Sequence, residues 1–428
     1  MPSAQRNITL DQARYKTLAN FPRKLDAMQL QQDQDTIQPR LGPLLSTDQP
    51  VRYFYYFETF VQRNVFIPKM ASYSHDIQKL SGSVSAQFLR HAVIALGALQ
   101  ASRLGAENRR ACKKHEFAAL EAYSASLVEL RETMTNSPSP PRLLVLWTTL
   151  FLGIFELMHD KTGDGWLMHM VHGTASALRA AGPRACKSGL GRSFFHQARV
   201  FEASRALLLG EPTFLSEPEW DCLTNDLSER SCLDEMLSII VQSSKLRART
   251  VKLLDQVNQS HASPVPIDAL KIAEEGFRLR QTLTIWRGCN PFPPLQLSAL
   301  PCSSPPRFGA SPEILLTNVF FAAIVIYMSG IFDYEIFYWQ RWGIPVPVIT
   351  EPEVQAHLGS ILAFTNVALH ETNLSPLLFL FPLRVAAARC SETSHMDSVQ
   401  FLLRRISRDF AVAGEFLSEV DNIWQQKK

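Results

Sequence analysis

The chain has 428 residues, 46% hydrophobic and 19% charged, which is the make-up of a soluble globular protein long enough for one large core or two smaller ones. Its 43 basic and 40 acidic residues leave a net charge of +3, too balanced for a general polyanion-binding surface. Seven scattered cysteines without a C-x-x-C pair argue for reduced thiols in an intracellular protein and against a cysteine-based zinc site. Residues 1–49 read as a polar, mobile leader carrying the tract QLQQDQDTIQ, with no apolar stretch long enough for a secretory signal.

From Pro50 the character changes, and residues 50–428 read as one helical domain. VRYFYYFETFVQRNVF places Phe54, Phe57 and Val61 on one helical stripe. SVSAQFLRHAVIALGALQASRLG does the same with Phe88, Val93 or Ala92, Leu96 and Leu99, and ends near Gly105. HEFAALEAYSASLVELRETM repeats the pattern through Phe117, Leu120, Tyr123, Leu127 and Leu130, then stops at the breaker cluster NSPSPP. PRLLVLWTTLFLGIFELMHD is nearly all apolar and predicts a central helix. The turn KTGDG leads into GWLMHMVHGTASALRAAGP (165–183). There Asp164 suits a cap, Trp166 an aromatic anchor and Gly173 a close helix–helix approach, while Gly182-Pro183 is a stop signal. LGRSFFHQARVFEASRALLLG predicts a further helix.

A second half begins near Glu217 with two amphipathic helices, 228–257 and 266–286. Seven prolines between Asn290 and Pro312 predict a surface loop, since so many missing donors fit neither helix nor central strand. ILLTNVFFAAIVIYMSGIF (314–332) is uncharged over nineteen residues, enough to span a bilayer. Thr317, Asn318, Ser329 and Gly330 dilute it, and DYEIFYWQRW continues the helical pattern with acids. A helix buried on all sides is therefore preferred to a membrane span. EVQAHLGSILAFTNVALHET, SPLLFLFPLRVAAARC and a closing helix, SVQFLLRRISRDFAVAGEFLSEVDNIW, complete the chain. Almost no segment alternates with period two, so the fold class is all-α: a large domain of stacked antiparallel helices.

Catalytic motifs are missing. There is no G-x-S-x-G elbow and no G-x-x-x-x-G-K-[ST] phosphate loop, and Gly189 and Gly191 give only a G-x-G. The pairs His115-Glu116 and His370-Glu371 are followed at the fourth position by Ala119 and Leu374, which cannot bind metal. The sharpest metal reading joins Glu156 and His159 with His169 and His172. A di-iron bundle needs two Glu-x-x-His pairs and further glutamates, and only one pair is present. A metal-dependent helical-bundle enzyme is accordingly the alternative reading. The preferred one makes these histidines packing residues, with no catalytic group and no cofactor.

The order of the pieces resembles the regulatory middle and C-terminal region of fungal zinc binuclear cluster transcription factors over residues 50–428. RYFYYFETF, SAQFLRHAVIALGALQ, HEFAALEAYSASLVEL and LLVLWTTLFLGIFELM open the series. The block W-x-x-H-x-x-x-G with its Gly-Pro stop contains Trp166, His169, Gly173, Gly182 and Pro183. Glu202-Ala203, the Phe214-Leu215 to Glu219-Trp220 element, FLFPLRVAAARC and Trp424 continue it. The resemblance implies that Trp166, His169, Gly173, Gly182, Pro183, Glu202 and Trp220 determine the fold.

It also implies a nuclear regulator of a fungal metabolic pathway, such as a secondary-metabolite gene cluster, with the cytoplasm as the alternative location. The expected partners are proteins (a second copy, another transcription factor or a coregulator) and a small-molecule effector, with no membrane. Such factors carry six zinc-binding cysteines and a basic region, whereas residues 1–111 here contain no cysteine. Six basic against five acidic residues in the leader cannot neutralise several phosphates, so direct DNA binding is not carried over. RRACKKH (109–115) reads as a solvated helix face.

Overall fold

Apolar residues recurring every three or four positions fold, among the described residues, as sixteen helices and no strand, confirming the all-α expectation. The computed structural model describes residues 49–427 except 69, 71, 105–108, 138–139, 162–172, 226–230, 260–266 and 292–310. The expected leader, 1–49, lies outside them but for its last residue, and the proline-rich loop falls within 292–310 apart from its flanks. Residues from Tyr53 onward cluster as one unit.

Helix α1 (Gln49–Arg63) buries Tyr53, Phe57, Phe60 and Val61. Phe54 of the expected stripe is only half buried, because Tyr53 and Phe60 turn the buried face slightly. After α2 (Ser74–Ser81), α3 (Gln87–Leu104) runs against α1 so closely that a Cβ at Gly97 would lie 2.0 Å from the Tyr53 carbonyl oxygen.

Helix α4 (Arg109–Asn136) departs from its predicted stripe. Phe117 is 65% exposed and Leu120 38%, while Ala119, Ala122 and Ser126 are buried. Small side chains let α4 approach α3, and Ser126 Oγ donates to the Phe88 carbonyl at 2.7 Å. Phe117 and Leu120 consequently face outward, while Tyr123, Leu127 and Leu130 of the same stripe pack partly buried against the core. Arg109, Arg110, Lys113 and Lys114 are exposed at its start.

The central helix is α5 (Arg142–His159), in which Trp147, Phe151 and Phe155 are buried, and Tyr73 packs on Trp147 at 4.7 Å between ring centres. Helix α6 (Ala175–Ala181) ends at Gly182, whose φ of 74° only glycine adopts without strain, and Pro183 opens a short 3₁₀ turn, Pro183–Cys186. Next come α7 (Gly189–Leu209), a 3₁₀ turn at Phe214–Ser216 and α8 (Pro218–Asn225).

The second half holds α9 (Cys232–Gln259), α10 (Ile267–Cys289), α11 (Pro312–Asp333), α12 (Ile336–Trp342), α13 (Glu351–Glu371), α14 (Leu380–Arg389), α15 (Thr393–Ile406) and α16 (Ala413–Lys427). Two of the described helices, α5 and α11, are long and apolar enough to cross a membrane, but 83% of each apolar stretch is buried inside the helical body. The closing segment is two helices instead of one. Between them the N–H groups of Ala411 and Val412 donate to the carbonyls of Met158 and Leu157, at 3.3 and 3.2 Å. Those acceptors belong to the last turn of α5, which has no partners of its own within the helix.

Candidate functional site

The sequence-nominated residues divide into three groups. Trp166, His169 and His172 lie outside the described residues, as does Asp164. Of the metal alternative, Glu156 is buried on α5 and accepts a hydrogen bond from the Tyr123 hydroxyl, which burial and Glu156 together push well above the usual tyrosine range. His159 is 38% exposed, stacks on Phe155 at 5.7 Å and stands 4.0 Å from a Glu116 oxygen. Gly173 sits in a wide π-type turn just before α6, and Gly182 and Pro183 form the stop described above.

Glu202 and Trp220, the third group, are both buried, one in an ion-pair knot and the other among aromatic rings. Arg205 binds both Glu202 oxygens, at 2.8 and 2.9 Å, and reaches Glu211 at 2.8 Å, while Thr213 donates its hydroxyl to Glu202 at 2.8 Å. Burial works against the Arg205 charge, yet the hydrogen bonds and charges of Glu202 and Glu211 outweigh it and raise the arginine above its ordinary value. Trp220 is 1% exposed, stacked on Phe195 and edge-on to Phe214. The knot ties the end of α7 to the turn after it, with only Glu211 reaching solvent.

A different place offers that opening. A cavity of about 380 Å³ lies among α10, α11, the extended segment 344–350 and α13, within the roughly 300–1,000 Å³ common for small-molecule sites. Its apolar wall is Phe321, Ala322, Val325 and Met328 of α11 with Phe364 of α13. Its polar groups are Arg280 and Arg287 of α10, Asn318 of α11, and Glu353 and His357 of α13. Gly276 admits this geometry, since a Cβ there would sit 2.6 Å from the Phe332 ring and 3.0 Å from Pro347. The extended segment is held in place by Arg280, which donates to the Val348 carbonyl at 2.6 Å, and by Ile349 N–H donating to Ser329 Oγ at 3.1 Å.

Two of the polar groups, Arg287 and His357, share one ring. The Arg287 guanidinium lies 5.4 Å from the Phe321 centroid and donates to Asn318 Oδ1 at 2.6 Å. The His357 ring meets the same phenylalanine edge-on, 5.8 Å between centres. Burial lowers the Arg287 pKa from its usual value. Burial likewise lowers His357, with Glu353 opposing the shift and Arg287 adding to it. Glu353 is held below the carboxylate range by hydrogen bonds from the Thr350 N–H and hydroxyl, both at 2.8 Å, with Arg280 and His357 contributing charge. His357 makes no hydrogen bond to another described residue.

None of these five polar residues stood out in the sequence. The signal was present as spacing: Arg280 and Arg287 are two helical turns apart, as are Glu353 and Ser360, with His357 between them. Asn318 sits one turn before Phe321 and Ala322 in a stretch whose few polar residues looked merely diluting. Pairing the three faces requires knowing which helices are neighbours, and spacing within a helix does not carry that.

A family model described as "Fungal specific transcription factor domain" matches residues 52–428, nearly all of the helical body. An uncharacterized protein of Emericella nidulans is 29% identical over 116 residues, which is 27% of this chain and 25% of that relative. The match thus spans about a quarter of the relative's length. No solved structure matches.

Proposed function

The chain belongs to the family of fungal-specific transcription factor domains, and from that premise we propose that it is a non-enzymatic regulator acting in the nucleus through effector and partner binding. The observation that carries the reading is the match over 52–428, which covers the body holding the Phe321 cavity. An effector seated there would touch three helices and the 344–350 segment together, so its binding energy would favour one packing of them over another. Protein partners find support in α4, where Phe117, Leu120, Val128 and Met134 are all exposed. The controlled genes are, in this reading, those of a metabolic pathway, with a secondary-metabolite cluster favoured.

Deleting the gene and sequencing transcripts tests this directly. Coordinated loss or gain of a contiguous gene set is expected, together with nuclear fluorescence of a tagged chain. An unchanged transcriptome and a wholly cytoplasmic tag would defeat the proposal. A gel shift with purified protein, alone and with nuclear extract, separates partner-dependent from direct DNA binding. Direct binding is not expected of this chain alone.

A further inference from the structure

We propose that the Phe321 cavity binds a small apolar monocarboxylate, with Arg287 and His357 taking the carboxylate and Phe321, Val325, Met328 and Phe364 taking the hydrophobic body. The inference rests on the effector reading and gives it a ligand class.

Three observations converge on it. Arg287 and His357 both abut Phe321, so donors and apolar wall are contiguous and one short ligand reaches both. Arg287 donates to the neutral carboxamide of Asn318, which fixes the guanidinium without supplying a negative charge from that side. A carboxylate would add the stronger, charge-assisted bond that a half-buried guanidinium favours. His357, which bonds no described residue, offers a ring N–H next to it.

The one acid in the cavity does not invert this preference. Glu353 has its oxygen occupied by the Thr350 N–H and hydroxyl at the start of α13, and it stands within the field of Arg280. Counting Arg280, Arg287 and Glu353, the cavity carries a net positive charge when His357 is neutral. A cationic ligand would meet Arg280 and Arg287 before the single carboxylate of Glu353, one oxygen of which is already bonded to Thr350. A fully apolar ligand would leave Arg287 and His357 desolvated beneath it.

The test uses the full chain and three probes of nearly equal shape: phenylbutanoate, phenylbutanol and phenylbutylamine, titrated calorimetrically near neutral pH. Saturable binding of the acid, with the alcohol and amine weaker by about tenfold or more, is expected. Arg287→Gln should weaken the acid by about tenfold and leave the alcohol unchanged. Ala356→Trp, at an exposed position on the cavity rim, should abolish binding of all three while thermal melts show a folded protein. Equal affinity for acid and alcohol, or tighter binding of the amine, overturns the proposal.

A reporter carrying the chain's target promoter separates the two readings. If no probe binds but Ala356→Trp still alters reporter output, the carboxylate class is wrong and the effector role stands. If the acid binds as expected but Ala356→Trp leaves output unchanged, the site is upheld and the effector role falls.

Discussion

Around Glu202, four hydrogen-bonding groups close on one another: two bonds come from Arg205, one from Thr213, and Glu211 takes the remaining arm of the guanidinium. Around Phe321, two arginines, a histidine and a glutamate are spread along an open cavity, and their main partners are an amide, a carbonyl, a ring and a helix cap. Both places gather charge on the helical body, buried in the first and half-buried or exposed in the second. In the first, each charge is answered by the protein itself, so the arrangement holds structure. In the second, the charges are fixed in position but not neutralised by each other, which is the condition for answering a charge brought from outside.

The contrast is broken most sharply at Glu202. Glu202→Ala leaves Arg205 buried with one partly exposed partner, and a loss of about 3–5 kcal/mol is expected, read as a lower denaturant midpoint. Retention of the wild-type midpoint would mean that the knot is not what secures the end of α7. A steric version of the same closed packing is Gly97→Ala, whose new methyl group would meet the Tyr53 carbonyl oxygen at 2.0 Å. We expect a cost of about 3 kcal/mol or more, since backbone cannot step aside as a side chain can.

The open site should behave otherwise. Arg287→Gln is expected to cost about 1–2 kcal/mol, well under Glu202→Ala, because it removes a half-buried guanidinium's bond to the neutral Asn318 amide where the Glu202 variant breaks a buried ion pair. A large fall in melting temperature would place Arg287 with the structural residues and erase the distinction.

The smallest effect concerns pH. His357 and His196 both have lowered pKa values, chiefly from burial, so the folded chain binds fewer protons than the unfolded one through the histidine range. His357 faces Glu353 and Arg287, and His196 faces Asp234, Arg199 and Arg192. Stability is therefore complete at neutral pH and declines as pH falls below about 6.5. The melting temperature of His357→Asn should decline less over that interval than the wild type's.

How much of this was legible in the sequence depends on whether the decisive contact is local. Gly182-Pro183 announced a helix end, and the structure puts one there by a backbone rule acting over two residues. The uncharged run at 314–332 announced a buried helix, and α11 is one. Helix α4 was read correctly as a helix, and Tyr123, Leu127 and Leu130 of its expected stripe pack on the core, but its first members do not. The expected stripe followed Phe117 and Leu120, whereas α3 selected Ala119, Ala122 and Ser126 because close approach outweighed side-chain size. The break between α15 and α16 was missed for a similar reason. Residues 407–412 are helix-compatible in isolation, and it is the carbonyls of α5 that draw the N–H groups of Ala411 and Val412 away from a continuing helix. The cavity shows the same boundary, with its spacings visible and its partnership across α10, α11 and α13 decided by tertiary packing.

The bonds from Ala411 and Val412 to the end of α5 also set an order of events. The acceptors on Met158 and Leu157 leave the ribosome long before Ala411 and Val412 are synthesised, so the most buried helix waits for these two caps, with Arg103 alone on the Met158 carbonyl, for nearly the entire remainder of translation. A premature stop codon shortly before Phe410 would thus strike the middle of the protein, and such an allele should behave as a null.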